Sequence, residues 1–97
     1  MVFAEIEYAC RYENVHSDLE ALLRDSFSNV ECGLQGDSWF WIFNDGTKVS
    51  VDTFSSMKHQ VKSDRSGRHV QQVIDALRRD YIVKVYDEPE VEPHEER

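Results

Sequence analysis
The chain opens on an alternation of apolar and polar positions. Val2, Ala4, Ile6, Tyr8, Cys10 and Tyr12 fall on one side of a two-residue repeat, and Phe3, Glu5, Glu7, Ala9 and Arg11 on the other. That period belongs to a half-buried strand and predicts one over 2–12. Ser17-Asp18-Leu19-Glu20 then reads as a capping box, in which the Ser17 hydroxyl takes a free amide and Glu20 reaches back. Leu19, Leu22, Leu23 and Phe27 follow at helical spacing, so a first helix is expected from Ser17 to about Ser28. Val30, Cys32 and Leu34 alternate with Glu31 and Gln35 up to the turn signal Gly36-Asp37, which makes a short second strand.

Trp39-Phe40-Trp41-Ile42-Phe43 is apolar on both faces, and Asn44-Asp45-Gly46 separates it from the alternating run Thr47-Lys48-Val49-Ser50-Val51-Asp52. Together they predict a β-hairpin. A three-residue loop with Gly46 in the left-handed conformation pairs Phe43 with Thr47, Trp41 with Val49 and Trp39 with Val51. One face then carries Trp39, Trp41, Phe43, Val49 and Val51, and the other Phe40 and Ile42 beside Lys48, Ser50 and Asp52. Met57, His59 and Val61 alternate and read as a further short strand, with an irregular crossover as the alternative. Val70, Val73, Ile74 and Leu77, with Tyr81 at the same spacing, give a second amphipathic helix, and Tyr81–Tyr86 the last strand.

The predicted order is β-α-β-β-β(-β)-α-β. Two helices with one apolar stripe each cover a single face of a four- to six-stranded sheet. The expected fold is therefore an α+β two-layer sandwich, mainly antiparallel and loosely ferredoxin-like. A sheet face without helices, bearing Phe40 and Ile42 on this register, is a candidate docking surface.

Charge changes the picture at the C-terminal end. The 97-residue chain has a net charge of −8, and positions 87–97 hold six acids against one base. With Pro89 and Pro93 this composition predicts one domain over 1–87 and a disordered acidic tail over 88–97. An acidic balance disfavours nucleic acid and anionic membranes as partners. Cys10 and Cys32 sit in apolar alternations and read as reduced core thiols; the N-terminus lacks a basic leader, so a cytoplasmic protein is expected.

Candidate chemistry is sparse. His16, His59, His69 and His94 are scattered without metal-site spacing, and no nucleophile elbow, phosphate loop or dinucleotide fingerprint occurs. No metal, cofactor or catalytic group is expected on that basis. The crossover from Lys58 to His69 is locally basic, holding Lys58, Lys62, Arg65 and Arg68 against Asp64 alone, and leads into a helix N-terminus. It reads as a solvated loop, as an anion contact, or as a place where the acidic tail docks.

The β-α-β-β-α-β core with aromatics on a middle strand resembles an RNA-recognition motif, whose sheet stacks bases. Gly36-Asp37-Ser38-Trp39-Phe40-Trp41-Ile42-Phe43 loosely echoes that family's glycine-aromatic strand. Gln35 stands where the family has a basic residue, no second glycine follows, and Asp37 adds a negative charge. The chain is read as outside that family. The expected function is a non-catalytic protein-binding module of adaptor, inhibitor or immunity type, with an unidentified protein partner or a second copy on its open sheet face. The alternatives are an anion or single-stranded nucleic-acid binder using Lys58, Lys62, Arg65 and Arg68, and an enzyme working around His59 and His69.

Overall fold
The computed structural model describes residues 1–92. Its elements are β1 (Val2–Glu7), α1 (Tyr12–Ser26), β2 (Val30–Gln35), β3 (Asp37–Asn44), β4 (Thr47–Asp52), β5 (Gln60–Lys62), α2 (Arg68–Leu77) and β6 (Ile82–Glu90). The strands form one six-stranded antiparallel sheet in the order β2-β3-β4-β5-β1-β6. β2 to β5 make a meander; α1 carries the chain from β1 to β2, and α2 from β5 to β6, across intervening strands. These are the split β-α-β connections of ferredoxin-like folds. The expected α+β two-layer sandwich is the fold observed.

One core lies between the helices and the sheet. Val15, Leu19, Leu22 and Leu23 of α1 and Val70, Val73, Ile74 and Leu77 of α2 close on Ala4, Ile6, Phe40, Ile42, Val49, Val51, Val61 and Val83. Burial of these aliphatic stripes is the main favourable term of folding.

The hairpin register differs by one residue from the expected one. Asn44 pairs with Thr47, Phe43 with Lys48, Ile42 with Val49, Trp41 with Ser50, Phe40 with Val51 and Trp39 with Asp52. The loop has two residues, Asp45 at φ 49° and Gly46 at φ 76°, the doubly positive turn whose twist matches that of the flanking strands. This register gives the helix side of both strands an unbroken apolar surface of Phe40, Ile42, Val49 and Val51. A one-residue slip exchanges the faces. Phe40 and Ile42 are therefore in the core, at 0% and 1% exposure, and the helix-free face carries Trp39, Trp41 and Phe43 instead.

Four boundaries also move. β1 stops at Glu7 instead of reaching Tyr12, which opens α1 instead, and Cys10 is exposed between them and not a core thiol. α1 begins at Tyr12 behind the extended Arg11, so Ser17 and Glu20 lie inside the helix and the expected capping box does not operate. Val15 and His16 extend its buried stripe, and the Tyr12 hydroxyl donates to the Gly36 carbonyl. β5 is limited to Gln60–Lys62, with Met57 and His59 outside it. β6 runs to Glu90 and the Glu92 side chain is buried, so 88–92 belong to the folded unit; positions 93–97 of the expected tail lie outside the described residues. Among the described residues no helix is long and apolar enough to cross a membrane.

Candidate functional site
The helix-free face is built around two indoles. β3 projects Trp39 and Trp41 to the same side, with ring centroids 4.5 Å apart at 38°. Across the strand pair, Trp39 lies over Gly33, where an added Cβ would come within 2.6 Å of the ring. Only glycine permits that approach. The Lys48 ammonium stands 4.3 Å from the Trp41 centroid, a cation–π contact across the β3–β4 pair. Glu31 faces Trp41 from β2, so the aromatic strip has an acid on one flank and a base on the other.

Beside Trp41 opens a cleft of about 570 Å³ lined by Ser50, Asp52, Phe54, Lys62 and Glu92 among others. At its base, Lys62 Nζ lies 2.7 Å from Asp52 Oδ1 and 3.2 Å from Glu92 Oε2, with all three side chains under 10% exposed. The Ser55 hydroxyl donates to Glu92 Oε2 at 2.7 Å. Two buried carboxylates share one ammonium, an arrangement tolerable only because each charge is paired and hydrogen-bonded. Phe54, 52% exposed, sits 5.9 Å from Lys62 and forms the outer wall.

On the helix side, a chain of hydrogen bonds crosses the core. Tyr8 Oη is 2.7 Å from His59 Nδ1, His59 Nε2 is 2.7 Å from Ser38 Oγ, and Ser38 Oγ is 2.6 Å from His16 Nδ1. His16 stacks on Phe40 with centroids 4.6 Å apart. Burial pushes the His59 pKa down to about 4, aided by the nearby His16, and lowers that of His16 as well. Burial pushes the Tyr8 hydroxyl up to about 12. Both imidazoles are neutral at pH 7, and the bonds of His59 to Tyr8 and Ser38 and of His16 Nδ1 to Ser38 offset their desolvation. Ser38 and His59 are 0% exposed, so this chain is enclosed.

At the outer end of that chain, His16, Glu20 and Cys32 present ligand-type atoms within 4.8 Å of one another. Arg24 bridges two of them, donating to Glu20 Oε2 at 2.8 Å and contacting Cys32 Sγ at 3.6 Å. His16 and Glu20 are four apart on α1, a spacing visible in the sequence; starting the helix at Ser17 hid it. Ser38, His59 and Tyr8 carried no local signal, because the contacts that unite them span 21 to 51 positions.

The residues singled out from sequence are dispersed. Phe40 and Ile42 are core. Lys58 donates to the Tyr8 carbonyl and lies 4.4 Å from the Tyr8 ring, while Lys62 is in the buried ion pairs. Arg65 pairs with Asp64 at 3.6 Å and Arg68 opens α2 on the surface. Two of the four crossover bases are thus engaged inside the fold and do not join one basic surface. His59 and His69 enter separate networks, His69 Nε2 lying 3.1 Å from Ser63 Oγ. Comparison of the chain with protein-family models, with curated proteins and with solved structures finds no match.

Proposed function
We propose that the protein is a small non-catalytic binding module that docks protein on the helix-free face of its sheet, and that a second copy of the chain is its first occupant. The observation that carries this reading is the placement of Trp39, Trp41 and Phe43, all partly exposed, on the face that neither helix covers. An aromatic strip of this kind is what interface cores are enriched in. Its flanks favour a copy of itself. A two-fold axis through the strip sets Glu31 of one chain towards Lys48 of the other, and such mixed-sign patches are self-complementary. The net charge of −8 opposes association, so moderate salt should strengthen it by screening the repulsion.

Sedimentation equilibrium across a concentration series tests this. The expected result is a reversible monomer–dimer equilibrium, tighter in moderate salt and displaced to monomer by Trp41→Ala. A strict monomer up to roughly 0.5 mM, weaker than any functional homodimer would need, removes the second copy as occupant.

A further inference from the structure
We propose that His16, Glu20 and Cys32 form a binding site for a borderline-soft divalent cation of the zinc class. The donor set is one imidazole, one carboxylate and one sulfur, with ligand atoms within 4.8 Å of one another. Zinc takes His, Cys and carboxylate ligands at about 2.0–2.3 Å in a tetrahedral arrangement, which puts ligands roughly 3.3–3.8 Å apart. Closing the remaining ångström falls to Glu20, whose 38% exposed side chain can turn inwards once it parts from Arg24, and to Cys32 on the edge strand β2. Three protein ligands leave a fourth position for water.

His16 is held in place from behind. Its Nδ1 is hydrogen-bonded at 2.6 Å to Ser38 Oγ, a fully buried hydroxyl, which leaves Nε2 as the ring atom able to bind. Ligating histidines have their other nitrogen held in this way, which fixes tautomer and orientation. A cation on Nε2 places the proton on Nδ1, which donates to Ser38; Ser38 then donates to His59 Nε2 and His59 Nδ1–H to Tyr8. Both imidazoles and the Ser38 hydroxyl are then satisfied in one polarity, and Tyr8 Oη accepts this bond beside that of the His59 backbone amide.

Arg24 fits the same reading. Its guanidinium contacts both Glu20 and Cys32 and supplies the positive charge that a bound ion would otherwise bring. Its third contact, a bond donated to the Val30 carbonyl at 2.8 Å, lies outside the donor set, so the entering ion has only the contacts to Glu20 and Cys32 to displace. Arg24 is therefore a competitor of the metal, and its removal should tighten binding.

Titration of the whole chain with Co²⁺, then displacement with Zn²⁺, tests the site. One equivalent of Co²⁺ should give the near-ultraviolet thiolate-to-metal band and the visible bands of a tetrahedral site, with a Zn²⁺ Kd on the order of 1–10 μM. Cys32→Ser should abolish the thiolate band, and Glu20→Gln should weaken Zn²⁺ by roughly tenfold or more. Arg24→Ala should strengthen it, and Cys10→Ser should change nothing. If Cys32→Ser does not fold, Glu20→Gln and Arg24→Ala decide the matter, since both positions lie at the surface. The proposal is overturned by the absence of a one-to-one complex, by a thiolate band that depends on Cys10, or by Glu20→Gln and Arg24→Ala binding as the native chain does.

Discussion

Replacing His59 with glutamine should make the protein's stability less dependent on pH. His59 is 0% exposed and its pKa is held at about 4, against an ordinary value of 6.5, because burial penalises the imidazolium. The unfolded chain therefore takes up the proton first as pH falls. Stability is fully present above pH 6.5 and is lost as pH drops through the window from 6.5 to about 4. Two and a half units correspond to roughly 3 kcal/mol in total, of which about 2 kcal/mol is gone by pH 5. Glutamine keeps a neutral hydrogen-bonding side chain but binds no proton. It should lower stability at pH 7 by about 1–2 kcal/mol through the imperfect replacement of bonds to Ser38 and Tyr8. Carboxylates titrate in the same window in both proteins, so the informative quantity is the gap between them. Urea unfolding followed by tryptophan fluorescence at pH 7, 6 and 5 measures it. The gap should shift by about 2 kcal/mol in the variant's favour over that range, vanishing or reversing by pH 5. A constant gap, or an imidazole of His59 titrating near its ordinary value by NMR, would refute the assignment of this ring as a buried neutral group.

Phe40→Ala should cost about 3–5 kcal/mol, because Phe40 is fully enclosed between sheet and helices, whereas Trp41→Ala should cost under about 1.5 kcal/mol. Equal losses in urea unfolding would contradict the hairpin register. Lys62→Met should cost about 3–5 kcal/mol by removing the buried ammonium that Asp52 and Glu92 both contact. Adding Asp52→Asn and Glu92→Gln should restore a large part of that loss, and a triple variant no better than Lys62→Met alone would show that the triad is not electrostatically coupled.

Strand and helix identities along this chain are local properties, and they were legible. The two-residue alternation of Val2, Ala4 and Ile6, the helical stripe of Leu19, Leu22 and Leu23, and the turn signal in Asn44-Asp45-Gly46 each follow from backbone geometry within a few residues. So was the layer count, since two single-striped helices shield one sheet face only. Which face they shield was not. Trp39, Phe40, Trp41, Ile42 and Phe43 are apolar on both sides, so their pattern carries no preference for either. One residue of loop length decided it, by setting Val49 and Val51 beside Ile42 and Phe40 and giving the helices an unbroken apolar floor.

The candidate sites depend on tertiary structure more completely still. Asp52, Lys62 and Glu92 meet only because β4 and β5 are neighbours and the chain after β6 returns to the same cleft. Tyr8, His59, Ser38 and His16 meet only because α1 lies across β3 while the segment before β5 passes β1. Composition and period determine what each segment becomes, for those preferences are set by neighbours a few residues away. Juxtaposition of polar groups depends on contacts between distant segments, and their loop-closure cost is recovered only once the core has formed.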